Sequence, residues 1–383
     1  MASPWMRRAL HLAARGRGHT HPNPRVGAVL VRDGRIVGEG YHHRPGEPHA
    51  EVHALEAAGR LARGATLYVT LEPCRHVGRT PPCTDAILAA EVERVVVAVR
   101  DPHPQAGGGA DVLMRQGVRV EFGDGAEDAL ALNLPFFSWV IRGRPWVTLK
   151  TAMSADGRVA TVGGESKYFT SPAARRHVHR VRGRIDAVVV GIGTVMADDP
   201  RLTVRDVPHG RDPVRVVLDS TGRLPPTAQV LQSGSDAPTL VYTTERASAA
   251  FERAVFSAGG EVVRVPERNG RPDLAEVLRD LGERGLLDVL VEGGPTVHGA
   301  LLAEGLADAW SAYIAPVLFG GDAPGPVGPP GFARLVAAPR LVRLRQRRIG
   351  PDLYYEGILE ASWKELANRC LPELSGKLGG SQQ

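Results

Sequence analysis

Three side chains that favour soft metals, and one carboxylate, stand close together in this sequence. Pro48-His49-Ala50-Glu51 supplies an imidazole and, two residues on, an acid; Pro73-Cys74 and Pro82-Cys83 supply two thiols. One imidazole and two thiolates form the three-ligand set of a catalytic zinc, whose fourth position is kept for water. Zinc brings the pKa of such a water from ~15.7 toward ~7, which makes hydroxide available at neutral pH. A carboxylate that is not itself a ligand can take the water's proton and pass it to a departing amine. His49, Cys74 and Cys83 are therefore expected to hold one Zn2+, with Glu51 carrying protons in a hydrolytic deamination. His53 and His76 could each add a fourth ligand, which would make the site structural instead. The compact zinc-deaminase motif, H-x-E followed by P-C-x-x-C, has two residues between its cysteines; here there are eight.

The elements around these residues must present them at chain ends and turns. Strands are expected over 26–31 and 35–41, joined at Asp33-Gly34, a strong hairpin signal. A helix over 50–61 starts just after His49. A strand over 65–71 leads to Cys74, and a helix over 85–90 follows Cys83. Each thiolate then lies near free backbone N–H groups, which favour the anion. An apolar run over 94–99 reads as a buried parallel strand. A further helix and strand end near 122, and a connecting helix over 124–143 stops at Gly143-Arg144-Pro145. Residues 5–14 read as an amphipathic helix rather than a signal peptide.

A second α/β pattern begins there, with strands at 146–151, 187–191, 214–219, 239–243, 262–265, 288–292 and 311–318. Helices are expected at 172–182, 246–258, 273–284 and 296–304, the first opened by Ser171-Pro172. The stretch 320–331 reads as a Gly/Pro-rich loop. The organisation predicted is α/β layers in two domains, 1–145 and 146–360, followed by a disordered tail over 361–383 that contains Cys370.

With 383 residues, two domains are the natural size. A hydrophobic content of 43% and a charged content of 23% describe a globular protein. No run approaches ~18 apolar residues, so no membrane span is expected, and with no export signal the cytoplasm is the expected compartment. Three cysteines do not make a disulfide framework. The net charge is +5, and almost all of the positive charge is arginine, without a dense basic run interleaved with aromatics. Nucleic acid is therefore not an expected partner.

In the second half, Val188-Val189-Val190-Gly191-Ile192-Gly193-Thr194 is a strand running into a Gly-x-Gly turn. Val291-Glu292-Gly293-Gly294-Pro295-Thr296 is a strand running into a Gly-rich helix start. Helix starts offer free N–H groups to phosphate. Met196 stands where a dinucleotide fingerprint wants its third glycine, so an ordinary tight turn explains the first segment equally well.

Longer motifs carry a resemblance. Thr20-His21-Pro22-Asn23-Pro24-Arg25-Val26-Gly27, the His49-to-Leu55 helix, and Glu72-Pro73-Cys74 through Gly78-Arg79-Thr80-Pro81-Pro82-Cys83 resemble the bifunctional riboflavin-biosynthesis deaminase/reductase family. So do Lys150 through Gly157, Gly164-Glu165-Ser166, Ala197-Asp198-Asp199-Pro200 and Glu292 through Thr296. The resemblance runs from about residue 4 to 360. It implies a cytidine-deaminase-like N-terminal domain, followed by a dihydrofolate-reductase-like domain. The first would deaminate 2,5-diamino-6-ribosylamino-4(3H)-pyrimidinone 5′-phosphate. The second would use NADPH to reduce the ribosyl chain to ribityl.

By that resemblance Asn23, Arg79 and Asp101 hold the pyrimidine nucleotide in the first site, although the usual Asp-Pro-Asn reads Asp101-Pro102-His103 here. Ala152, Tyr168 (where the family often has Trp), Thr194, Asp198, Ser220 and Gly294, Pro295, Thr296, Val297, His298, Gly299 and Ala300 would contact NADPH. Ser166, Arg182, Leu202, Arg205 and Glu292 would contact the second substrate, the arginines as bidentate partners for its phosphate. Lys150 would bond the pyrimidine carbonyl or a reacting oxygen. The partner implied is a small pyrimidine ribonucleotide, and a homo-oligomer stays open. A nucleic-acid deaminase, or a deaminase with a non-catalytic second half, are the rival readings.

Overall fold

A computed structural model describes residues 2–78, 80–208, 210–232 and 234–371. The chain divides into two units, Met1–Gly143 with the segment from Lys364, and Arg144–Trp363.

In the first unit, α1 (Pro4–Ala13) is capped by Ser3, whose hydroxyl accepts from the Met6 N–H. The hairpin of β1 (Gly27–Arg32) and β2 (Arg35–Tyr41) turns at Asp33 and Gly34, both at positive φ. That is the backbone of the tight hairpin turn the dipeptide favours. Next come α2 (Ala50–Ala58), β3 (Thr66–Val69), α3 (Cys83–Ala89), β4 (Arg94–Val97), α4 (Gly109–Arg115) and β5 (Arg119–Phe122). The sheet order is β2-β1-β3-β4-β5, with β3, β4 and β5 parallel. Leu30, Leu67, Val69, Val95 and Val97 pack with Ala50, Ala54 and Ile87. The expected single helix over 124–143 is two, α5 (Ala126–Leu132) and α6 (Leu134–Arg142). Asn133 breaks it: its side chain both accepts from the Arg25 N–H and donates to the Arg25 carbonyl, at 2.8 Å each.

The second unit holds β6 (Trp146–Ser154), α7 (Pro172–Arg182), β7 (Ala187–Gly191), α8 (Ile192–Asp198), β8 (Val214–Leu218), β9 (Thr239–Thr243), α9 (Ala249–Ser257) and β10 (Gly260–Arg264). A two-strand flap, β11 (Glu267–Arg268) with β12 (Arg271–Pro272), precedes α10 (Leu274–Glu283), β13 (Asp288–Val291), α11 (Pro295–Ala303) and β14 (Ala309–Ala315). Then come β15 (Leu341–Ile349) and β16 (Asp352–Leu359); α12 (Glu360–Cys370) begins in this unit and belongs from Lys364 on to the first. The nine-stranded sheet runs β10-β9-β8-β7-β13-β6-β14-β16-β15. Its first seven strands are parallel, and β16 and β15 are added antiparallel. Both faces of its central parallel strands are buried. Val189, Val216, Leu240 and Val291 point one way, and Val188, Val190, Val217 and Leu290 the other. Such two-sided burial explains the unbroken apolar runs.

Two expectations are corrected here. Residues 360–370 form α12 rather than a frayed tail, with Leu366, Ala367 and Cys370 buried and Glu365 paired to Arg142 at 2.9 Å; residues 372–383 lie outside the described ones. The segment read as a Gly-x-Gly turn is the start of α8, with Gly191 as its N-cap.

Candidate functional site

His49 is the N-cap of α2, Glu51 lies in that helix's first turn, and Cys83 opens α3. The approach of α2 to β2 depends on Gly40 and Gly38. A Cβ on Gly40 would lie 2.3 Å from the Ala50 carbonyl oxygen, and one on Gly38 would lie 2.1 Å from that of Ala54. Cys74 is set by the loop after β3. There the buried Glu72 carboxylate accepts from the N–H groups of Asp101 (3.1 Å), Gly108 (3.1 Å) and Ala110 (3.0 Å). The loop after β3 is thereby tied to the one that follows β4.

The ligand atoms of His49, Cys74 and Cys83 all lie within 4.8 Å of one another, the only such group of three among the described residues. His49 Nδ1 is 3.2 Å from Cys83 Sγ and 3.5 Å from Cys74 Sγ. The edge of a tetrahedron with Zn–S near 2.3 Å and Zn–N near 2.1 Å is about 3.6 Å, so the donor set fits zinc. The Cys74 thiol is pushed down to about 4, foremost by the Cys83 thiol donating to it, while that of Cys83 is driven up. Glu51 stays outside the ligand group, is 3% exposed, and burial pushes its carboxyl up to about 7. Neither His53 nor His76 joins the ligands; His53 stacks on His43 with ring centres 4.6 Å apart.

A cavity of about 390 Å³ opens over this group and is lined by His49, Glu51, Cys74, Asn23, Asp101 and His103 among others. Arg79 lies outside the described residues. No motif marks His42, which also lines the cavity. Its Nδ1 lies 3.3 Å from the Pro48 carbonyl and must carry the proton, so Nε2 accepts from Asn23 Nδ2 at 3.2 Å. The Asn23 amide is thereby turned with its carbonyl oxygen bonded to none of the described residues. Burial raises the Asp101 carboxyl to about 7. His103, at the position of the family's asparagine, is itself engaged by the loop: its Nδ1 accepts from the N–H groups of Gln105 and Ala106.

The second unit has its own cavity, of about 530 Å³, at the carboxyl ends of β6 and β13. Lys150, Ala152, Ser166, Tyr168, Arg182, Asp198, Leu202, Arg205 and Glu292 all line it. Open parallel sheets bind ligands at this edge. Glu292 follows β13 and takes a bidentate pair from Arg182, at 2.5 and 3.0 Å, with Lys150 Nζ at 3.4 Å. Burial alone would raise the Glu292 carboxyl; the Arg182 and Lys150 charges outweigh it and hold it at about 2. The Arg182 fork is thus taken by Glu292, and its Nη1 donates to the Thr203 carbonyl, while the residue still lines the cavity. Arg205 is exposed at the cavity, and Arg175, which no motif marks, lies 5.3 Å above the Tyr168 ring. Ser166 donates to Asp198 at 3.2 Å.

Thr194, Ser220 and 294–300 do not line this cavity. Thr194 Oγ1 would be 3.8 Å from a Cβ on Gly294, the N-cap of α11, so the starts of α8 and α11 meet. Ser220 follows β8 on the same edge, its carbonyl accepting from Thr244. The His298 ring is committed to packing, between the Pro326 and Val291 carbonyls. A Cβ on Gly299 would lie 2.4 Å from the Gly328 carbonyl oxygen. No described helix is long and apolar enough to cross a membrane.

Comparison with known proteins agrees over nearly the whole chain. The family described as cytidine and deoxycytidylate deaminase zinc-binding region matches residues 2–99, and the RibD C-terminal domain matches residues 145–355. The riboflavin biosynthesis protein RibD of Escherichia coli K12 is 45% identical over 362 residues, 91% of this chain and 97% of that protein. That of Aquifex aeolicus is 43% identical over 91% of this chain and 96% of its own. A structure of Acinetobacter baumannii RibD superposes with TM-score 0.81 at 40% identity, covering 93% of this chain and 98% of that one. A Thermotoga maritima diaminohydroxyphosphoribosylaminopyrimidine deaminase/5-amino-6-(5-phosphoribosylamino)uracil reductase gives 0.79 at 36% identity, covering 93% and 97%. With a cytidine-deaminase-like domain, a dihydrofolate-reductase-like domain and this likeness along its length, the chain belongs to the RibD family of riboflavin-biosynthesis enzymes, which join a deaminase and a reductase in one polypeptide.

Proposed function

We propose that the first unit deaminates 2,5-diamino-6-ribosylamino-4(3H)-pyrimidinone 5′-phosphate with zinc held by His49, Cys74 and Cys83. The second unit then reduces the ribosyl chain with NADPH. The observation that carries the reading is the three-donor group beside a buried, uncoordinated Glu51. When bound, zinc supplies the Lewis acidity that makes water a nucleophile near neutral pH. Glu51 Oε takes that proton and delivers it to the leaving amine. Asn23, with its carbonyl presented by His42, and Asp101 hold the pyrimidine edge, and Arg79 adds a cation for the phosphate.

In the second unit Lys150, steered by Glu292, bonds the pyrimidine carbonyl or a reacting oxygen. Ser166, Leu202 and Arg205 hold the nucleotide, and the fixed Arg182–Glu292 pair forms the floor. The adjoining starts of α8 and α11 offer free N–H groups suited to a diphosphate, with Thr194, Ser220, Asp198, Ala152, Tyr168 and the segment from Gly294 around them. NADPH supplies the hydride when bound. The domains proposed for the two steps are 1–145 and 146–360.

A coupled assay with zinc-loaded enzyme, the diaminopyrimidine phosphate and NADPH should show ammonia release followed by NADPH oxidation. Failure of both steps would sink the assignment; failure of the second alone would leave the rest of the chain without catalysis. Gly40→Ala should cut deamination about 100-fold, because α2 must move to clear the Ala50 carbonyl and takes His49 and Glu51 with it. Reduction should be unchanged, and a deaminase of parental rate would show that α2 does not set the site.

A further inference from the structure

Tyr313 is not among the residues that the reductase motifs mark, yet it lines the second cavity and is 2% exposed. It stands on β14 opposite Ala152 of β6 and opposite Tyr354 of β16. Its ring lies 4.9 Å from that of Tyr354 and 5.8 Å from Lys150 Nζ. The phenol oxygen is 2.7 Å from Nδ1 of His177, on the helix α7 that covers this face. The other nitrogen of that ring, Nε2, meets Nη2 of Arg347 on β15, beside the Tyr354 ring.

The chemistry of these partners fixes the direction of each bond. A guanidinium only donates, so His177 Nε2 must offer its lone pair. A neutral imidazole has one proton, which must then sit on Nδ1 and be donated to the Tyr313 oxygen. Burial first, then the charges of Arg347 and Arg180, hold His177 down at about 4, so the ring is neutral under working conditions. The Tyr313 hydroxyl hydrogen is left over. Among the described residues no hydrogen bond takes it up: Tyr354 sends its own hydroxyl to Glu356, and Glu292 is paired with Arg182 and Lys150. A buried donor with no protein acceptor, on a side chain that lines a cavity, is destabilising unless a ligand or water completes it.

We propose that the Tyr313 hydroxyl donates a hydrogen bond to an oxygen of the pyrimidine nucleotide in the reductase cavity, oriented for that purpose by the Arg347–His177 relay. Tyr313 is thus a substrate-binding residue, and His177 and Arg347 are positioning residues. The inference rests on the reductase reading of the second unit. It adds a contact that the family motifs do not name, and it gives the basic strand β15 a role in the site.

The test uses the full-length enzyme. Calorimetric titration with 5-amino-6-(5-phosphoribosylamino)uracil, without NADPH, should show Tyr313→Phe binding about 10-fold more weakly than the parent. The kcat/KM of reduction should fall at least as far, while deamination stays at the parental rate and the melting temperature falls only by the few degrees expected when the buried His177 Nδ1–H loses its acceptor. Nitrogen-15 spectra should show the His177 proton on Nδ1. Arg347→Met should release that tautomer and weaken binding in the parent background, but add nothing in the Tyr313→Phe background. Unchanged binding by Tyr313→Phe, a proton found on Nε2, or an equal further loss in the double variant would each overturn the proposal. A parent that deaminates but neither binds nor reduces this compound would instead sink the reductase reading.

Discussion

Glu51→Gln should abolish deamination while the enzyme keeps one zinc per chain and reduces the deaminated pyrimidine at the parental rate. Glutamine has the same shape and fills the same buried pocket in the first turn of α2, so the fold has no reason to change. The amide cannot accept the water's proton or return one to the amine. General acid–base catalysis of this kind is worth about 10² to 10⁴ in rate, and here one group serves both transfers. The metal should stay because the ligand group is complete without Glu51: His49 Nδ1 lies 3.2 and 3.5 Å from the two sulfurs. Metal analysis of the purified variant checks this. Zinc lost together with activity would make Glu51 a ligand and return the site to a structural reading.

The second large effect is expected at Glu292. Its carboxylate is the shared anion for Arg182 and Lys150, and all three side chains are largely withdrawn from water. Removing one partner of a buried ion pair leaves an uncompensated charge, a loss of about 3–5 kcal/mol. Glu292→Gln should lower the stability of the second unit by an amount of that order in denaturant unfolding, and it should abolish reduction. Deamination should survive at denaturant concentrations below the new midpoint.

The pH dependence has a definite sign. With its folded pKa held at about 2, below the ordinary value of about 4.3, Glu292 binds protons less readily in the folded chain than in the unfolded one. Its contribution is complete above the ordinary value and is lost as pH falls through about 2. The parent should therefore lose stability between those limits, and the variant should lose less. Equal acid sensitivity in the two proteins would show that this carboxylate is not the linked group.

Much of the first site is legible in the sequence because its signals are local. H-x-E at a helix start and a cysteine just before another helix need only the neighbouring backbone to define their directions, and α2 and α3 begin at those residues. Asp33-Gly34 and Ser171-Pro172 are likewise short-range signals, and the hairpin turn and the helix start both stand where they point. The edge strands β15 and β16 are hidden for the opposite reason. Most of β15 is exposed, so its arginines show no buried face and read as a basic surface. Gly191-Ile192-Gly193 carries a turn signal, although Gly191 caps a helix. Local glycine content cannot separate those outcomes, because both need a permissive backbone at the same place. The helix α12 is masked by its polar composition; what orders it is contact with distant residues, as in the pair of Arg142 and Glu365.

The sequence by itself determined the chemistry available: which atoms can bind zinc, which carboxylate is near enough to move protons, and which family's motifs the chain carries. Tertiary structure alone decided where that chemistry points. It brought Cys74 Sγ to 3.5 Å from His49 Nδ1 across 25 residues of chain, and turned Asn23 through His42. It also committed Arg182 to Glu292 and placed Tyr313, bonded to His177, in the lining of a cavity. The physical reason is that residue type fixes what a group can donate, accept or ligate, whereas its direction and its partners depend on contacts between segments far apart in the chain, which no local pattern encodes.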